Sequence, residues 1–161
     1  MKKIIYTLLI IIIFTSNSFS AGTSSDSSNS TSNYTKAKNL IKAAKKYEKK
    51  GKIEKAQKRY TKAQKLLLKS NKKKPLQADT LNYLGFTTRK LGDYEKGEAF
   101  YLQGLKIEPN HNGINEYLGE LYIATNRMDL AKERLNILKS CDCKEYKQLK
   151  EIVEGTKKSK Y

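Results

Sequence analysis

A fixed spacing recurs along this chain and limits its fold more than any single residue does. Tyr83-Leu84-Gly85 returns as Tyr117-Leu118-Gly119, an offset of 34. Gly97 and Ala131 keep that offset, as do Tyr101 and Leu135. Gly51, Gly92 and Asn126 follow one another at offsets of 41 and 34. Around these points apolar residues fall at helical spacing, which predicts paired helices rather than strands. Small residues at Ala44, Gly85 and Gly119 let the helices of a pair approach closely, while Tyr60 and Tyr101 fill the space beside them. Gly51, Gly92 and Asn126 suit the positive φ of the intervening turns. Pro109 is predicted to end a helix. Each hairpin leaves an apolar face that only a stacked neighbour can cover, so about three copies are a practical minimum. This chain has three.

The pattern resembles the tetratricopeptide repeat family, whose unit runs Trp-x2-Leu-Gly-x2-Tyr, then Ala-x3-Phe, then Pro. The middle copy supplies Leu81, Leu84, Gly85, Thr88, Gly97, Tyr101 and Pro109. The last supplies Asn115, Leu118, Gly119, Tyr122, Ala131 and Leu135, and a weaker first copy Leu40, Ala43, Ala44, Tyr47, Ala56 and Tyr60. About seven extra residues separate the first and second copies, with Lys72-Lys73-Lys74-Pro75 among them. The resemblance implies an all-α fold, a tetratricopeptide-type helical-hairpin solenoid with repeats at about 37–70, 78–111 and 112–143. From Lys144 to Glu154, Tyr146, Leu149, Ile152 and Val153 share one face, as a C-terminal capping helix would require.

Ahead of the repeats, Met1-Lys2-Lys3 and the apolar block Ile4 to Phe14 read as a secretory signal, with Ser18 and Ser20 suited to cleavage after Ser20. The block is too short for a spanning helix, which needs about 20 apolar residues. Residues 21–33 are rich in Ser, Thr and Asn and read as a flexible linker. No Cys lies near the cut for lipid attachment, so the expected address is periplasmic or secreted.

The chain carries 33 Lys plus Arg against 16 Asp plus Glu, a formal net charge of +17. Residues 34–74 hold 17 of the basic side chains and only Glu48 and Glu54 as acids, a balance of +15. The excess is therefore a property of the first repeat and its insertion. Lys38, Lys42, Lys45 and Lys49 form one row at helical spacing, and Lys55, Lys58, Arg59, Lys62, Lys65 and Lys69 spread over the exposed side of the next helix.

Catalytic constellations are not legible. His111 is the only His and sits between Pro109-Asn110 and Asn112-Gly113, which predicts an exposed loop residue without nucleophile or acid partners. The glycines are accounted for by packing and turns rather than by a phosphate loop. No enzyme activity, cofactor, metal or small-molecule substrate is expected. Cys141 and Cys143 are the only cysteines. In an exported chain they suit a local disulfide clamping the turn before the last helix, with a redox or soft-metal role, reduced thiols or an intermolecular bridge as alternatives.

In the tetratricopeptide family the groove is lined mainly by the second, fifth, ninth, twelfth and thirteenth residues of each repeat. The resemblance thus implies a partner-binding groove with Lys38, Lys45 and Lys49 in the first repeat. Asp79, Asn82, Phe86, Arg89 and Lys90 follow in the second, and Glu116, Glu120 and Ile123 in the third. Such a wall favours an acidic peptide segment or partner helix, making the chain a non-enzymatic scaffold or assembly factor of the bacterial cell envelope. The alternative is docking of the basic first repeat on an anionic surface, phospholipid or lipopolysaccharide. Nucleic acid is disfavoured because no aromatics are interleaved with the basic residues for base stacking.

Overall fold

A computed structural model of the chain describes residues 32–159, and among them finds seven helices and no strand. The expected signal segment at 1–20 and nearly all of the expected linker at 21–33 lie outside the described residues. The helices are α1 (Asn33–Lys49), α2 (Ile53–Lys73), α3 (Ala78–Lys90), α4 (Tyr94–Ile107), α5 (Asn112–Ala124), α6 (Met128–Leu138) and α7 (Lys144–Val153). They pack as three antiparallel hairpins, α1–α2, α3–α4 and α5–α6, with α7 against α5 and α6. Helix α1 starts one residue earlier than the linker boundary implied, because Ser32 Oγ accepts the Thr35 N–H at 3.1 Å and caps it.

The turns inside the hairpins are three copies of one device. Gly51, Gly92 and Asn126 have φ of +67°, +97° and +58°. The residue after each sends its N–H back five positions, Lys52 to Tyr47, Asp93 to Thr88 and Arg127 to Tyr122, at 2.9, 3.2 and 2.7 Å. This left-handed closure satisfies carbonyls that the helix end would otherwise leave open. Glu108, the residue before Pro109, is extended at φ −136° and ψ 86°, which ends α4.

Seven extra residues of the first repeat do not form a loop. Helix α2 has 21 residues where α4 has 14, so the insertion adds about two helical turns. The core is continuous along the stack. Ala37, Ile41, Ala44, Ala56, Tyr60, Ala63 and Leu67 meet Leu81, Leu84 and Phe86, and a second cluster gathers Ala78, Tyr101, Ile114, Leu118, Leu121 and Ala131. A Cβ on Gly85 would stand 2.5 Å from the Tyr101 ring, so the small residue is demanded by the aromatic opposite it. At Gly119 the corresponding neighbour is Leu149 of α7, 2.6 Å from such a Cβ. Leu149 and Ile152 are buried and Tyr146 and Val153 half-buried, so α7 closes the apolar end of the stack.

Candidate partner-binding groove

The first helices of the hairpins, α1, α3 and α5, line one face of the stack, and α7 continues it. Two openings on that face share Lys45. One, of about 780 Å³, is lined by Lys42, Lys45, Lys46, Glu48 and Lys49 of α1, Ile53 at the start of α2, and Phe86 and Lys90 of α3. The other, of about 380 Å³, lies between α3, α5 and α7, with Asp79, Asn82, Glu116 and Glu145 among its walls. The groove is thus basic over an apolar floor at the α1 end and richer in carboxylates toward α7.

Several side chains expected to line an open groove are instead sealed into it. Phe86, Arg89, Glu116 and Glu120 are at most 4% exposed. Arg89 Nη2 lies 3.3 Å from Glu120 Oε2, and Nη1 donates to the Tyr117 carbonyl at 2.8 Å. Lys90 meets Glu48 at 2.6 Å. Lys45 Nζ donates to the Tyr117 hydroxyl at 3.2 Å and sits 4.3 Å from the Phe86 ring centroid. The cause is close stacking of α1, α3 and α5: long cations aimed along the groove find carboxylates and rings on the next helix. Asn82 is buried as well, and its Oδ1 has no hydrogen-bond partner among the described residues.

What stays open is a different set. Lys38, Lys49 and Asp79 are exposed and Ile123 is half-buried. Lys42 and Lys46 join them at the rim of the larger opening, exposed like Lys49. None of the three forms an ion pair among the described residues. The row Lys38-Lys42-Lys45-Lys49 already pointed to Lys42, whereas nothing in the repeat positions pointed to Lys46. Tyr117 was also missed as a groove residue, although its offset from Tyr83 marks the repeat. Its ring lies 5.0 Å from that of Phe86, and burial, then the charge of Glu116, holds its hydroxyl well above the usual phenol range.

His111 is not the exposed loop residue that its neighbours suggested. Its Nδ1 accepts the Ile114 N–H at 3.1 Å, and its Nε2 lies 3.3 Å from Asp79 Oδ1, so it caps α5 and ties it to α3. Its side chain is 12% exposed. Cys141 and Cys143 are joined to each other, with Cα atoms 5.1 Å apart, in the turn leading into α7.

Comparison with known proteins agrees with this architecture. Residues 78–111 match the tetratricopeptide repeat family. No curated protein matches the chain. Among solved structures, the type III secretion translocator chaperone SycD of Yersinia enterocolitica aligns with a TM-score of 0.53 at 15% identity, covering 79% of this chain and 86% of that one. The first TPR of Spaghetti (RPAP3), bound to the HSP90 peptide SRMEEVD, aligns at 0.48 and 18% identity over 76% and 94% of the two chains. The first TPR domain of human RPAP3 gives 0.45 at 17% identity over 78% and 98%. The family match and the SycD fold correspond to the solenoid expected from the 34-residue period.

Proposed function

We propose that this tetratricopeptide-type solenoid is a non-enzymatic scaffold or assembly factor of the cell envelope that holds an acidic segment of another protein in its α1–α3 groove. The carrying observation is the open rim of Lys42, Lys46 and Lys49 beside the exposed apolar side chain of Ile53. Because Glu48 is already engaged by Lys90 and by the Tyr60 hydroxyl at 2.8 Å, it does not neutralise the rim. Carboxylates on an incoming chain would meet three ammonium groups while an apolar side chain packs on the exposed Ile53. SycD is a chaperone of a translocator, and a protein client is the corresponding reading here. The test is charge reversal of Lys42, Lys46 and Lys49 to Glu, which should abolish capture of the partner. Reversal of Lys58, Lys62 and Lys65 on the opposite side of the hairpin should leave capture intact.

A second reading, docking of the first repeat on an anionic surface, is favoured by the lysine-rich outer side of α2. Lys55, Lys58, Lys62, Lys65 and Lys69 are all exposed there.

A further inference from the structure

The outer side of α2 carries more than charge. Lys55, Lys62 and Lys69 follow one another at seven-residue spacing, and so do Lys58, Lys65 and Lys72. At 3.6 residues per turn these are two adjacent rows on one side of the helix. They lie opposite the buried face of Ala56, Tyr60, Ala63 and Leu67. All six are exposed, and none is in an ion pair among the described residues. Glu54, in the first turn, is the only acid on the helix.

Two exposed apolar side chains lie close to these rows along the chain. Leu68 is 46% exposed, flanked in helical register by Lys65 and Lys72. Leu76 is 72% exposed, two residues past Lys74, and its backbone adopts a φ of +58°. That is a left-handed conformation which leucine disfavours, and no burial of its side chain offsets it. The two turns inserted into α2 are what carry the lysine rows out to this corner.

We infer that the outer side of α2 and the following turn form a peripheral docking site for an anionic phospholipid bilayer, with the lysine rows on the phosphates and Leu68 and Leu76 entering the acyl boundary. This rests on the second reading and makes it specific to a bilayer. Exposed lysines beside exposed leucines match the charged headgroup layer and the hydrocarbon beneath it. A nucleic acid would call for stacking aromatics or open guanidinium groups, whereas the one Arg on α2, Arg59, is half-buried. No described helix is long and apolar enough to cross a membrane, so the contact is with the bilayer surface.

The experiment is co-sedimentation of the full chain with phosphatidylcholine vesicles, pure or with about 30% phosphatidylglycerol. Every variant keeps residues 1–31, so differences between variants report on α2. Wild type should bind the phosphatidylglycerol vesicles in excess of the neutral ones, and Lys58→Glu with Lys62→Glu and Lys65→Glu should remove that excess. Leu68→Ser with Leu76→Asn should weaken partitioning about tenfold, by removing the apolar insertion. Asn tolerates positive φ, so an unchanged circular dichroism spectrum is expected for this variant. If the leucine variant partitions like wild type, insertion is overturned while electrostatic docking survives. Equal binding of wild type and the lysine-reversed variant to anionic vesicles overturns both, and tighter capture of a DNA duplex than of anionic vesicles overturns the lipid assignment.

Discussion

Arg89 and Glu120, 31 residues apart, meet at 3.3 Å with side chains only 1% and 3% exposed, linking α3 to α5 beneath the groove. A buried pair of this kind is held by its partner and by the surrounding hydrogen bonds, here the Tyr117 carbonyl. Removing one member of a buried pair leaves the other charge under-compensated, which costs about 3–5 kcal/mol. Glu120→Ala should therefore lower the unfolding free energy by about 3 kcal/mol in urea titration. A single-variant loss below about 1 kcal/mol would mean the pair is effectively solvated.

The same pair shows where the sequence stopped being informative. Repeat positions tell which side of a helix a residue occupies, and by that rule Arg89 and Glu120 both belonged to an open wall. Whether a neighbouring helix seals that wall depends on how closely α3 and α5 stack, which the 34-residue spacing does not encode. The turns were legible for the opposite reason: a positive φ is a local demand, so Gly51, Gly92 and Asn126 announce it directly. His111 escaped because its capping role depends on Ile114 and Asp79 rather than on its neighbours in the loop.

Gly85 tests the close approach of α3 and α4. Gly85→Ala places a Cβ against the Tyr101 ring, a fully buried side chain that cannot swing aside. Overpacking of this kind costs about 1–3 kcal/mol. Gly92→Ala meets no atom within 4 Å, so its loss should come from the φ of +97° alone and stay near 1 kcal/mol. Denaturation curves that ranked Gly92→Ala as the more damaging change would contradict the packing account.

Alkaline pH should unfold the stack through its tyrosines. Burial raises the hydroxyls of Tyr60, Tyr101 and Tyr117 above their ordinary value of 10.0, and at Tyr60 the hydrogen bond to Glu48 adds to it. The unfolded chain would lose these protons first. The stabilisation is therefore complete below pH 10 and declines as pH climbs above it. Tyrosinate absorbance should show these three rings ionising only together with loss of helical signal. Ionisation near pH 10 in a chain that remains helical would contradict their burial.

The Cys141–Cys143 bond closes a very short loop, so the chain-entropy argument assigns it only about 1.5 kcal/mol. Reduction should loosen the entry to α7 and leave the three hairpins folded, as read by circular dichroism in reductant. Global unfolding on reduction would show that the stack depends on this turn.

In the proposed function, Lys42, Lys46 and Lys49 receive an acidic protein segment beside Ile53. The most direct test is photo-crosslinking in the native cells from a benzoylphenylalanine at Lys46, compared with one at Thr61 on α2, with the crosslinked peptide identified by mass spectrometry. The expected result is one protein crosslinked from position 46 through an Asp/Glu-rich segment and lost on reversal of Lys42 and Lys49 to Glu. Crosslinking to that protein from position 61 as readily as from 46, or through a segment without acids, would contradict it.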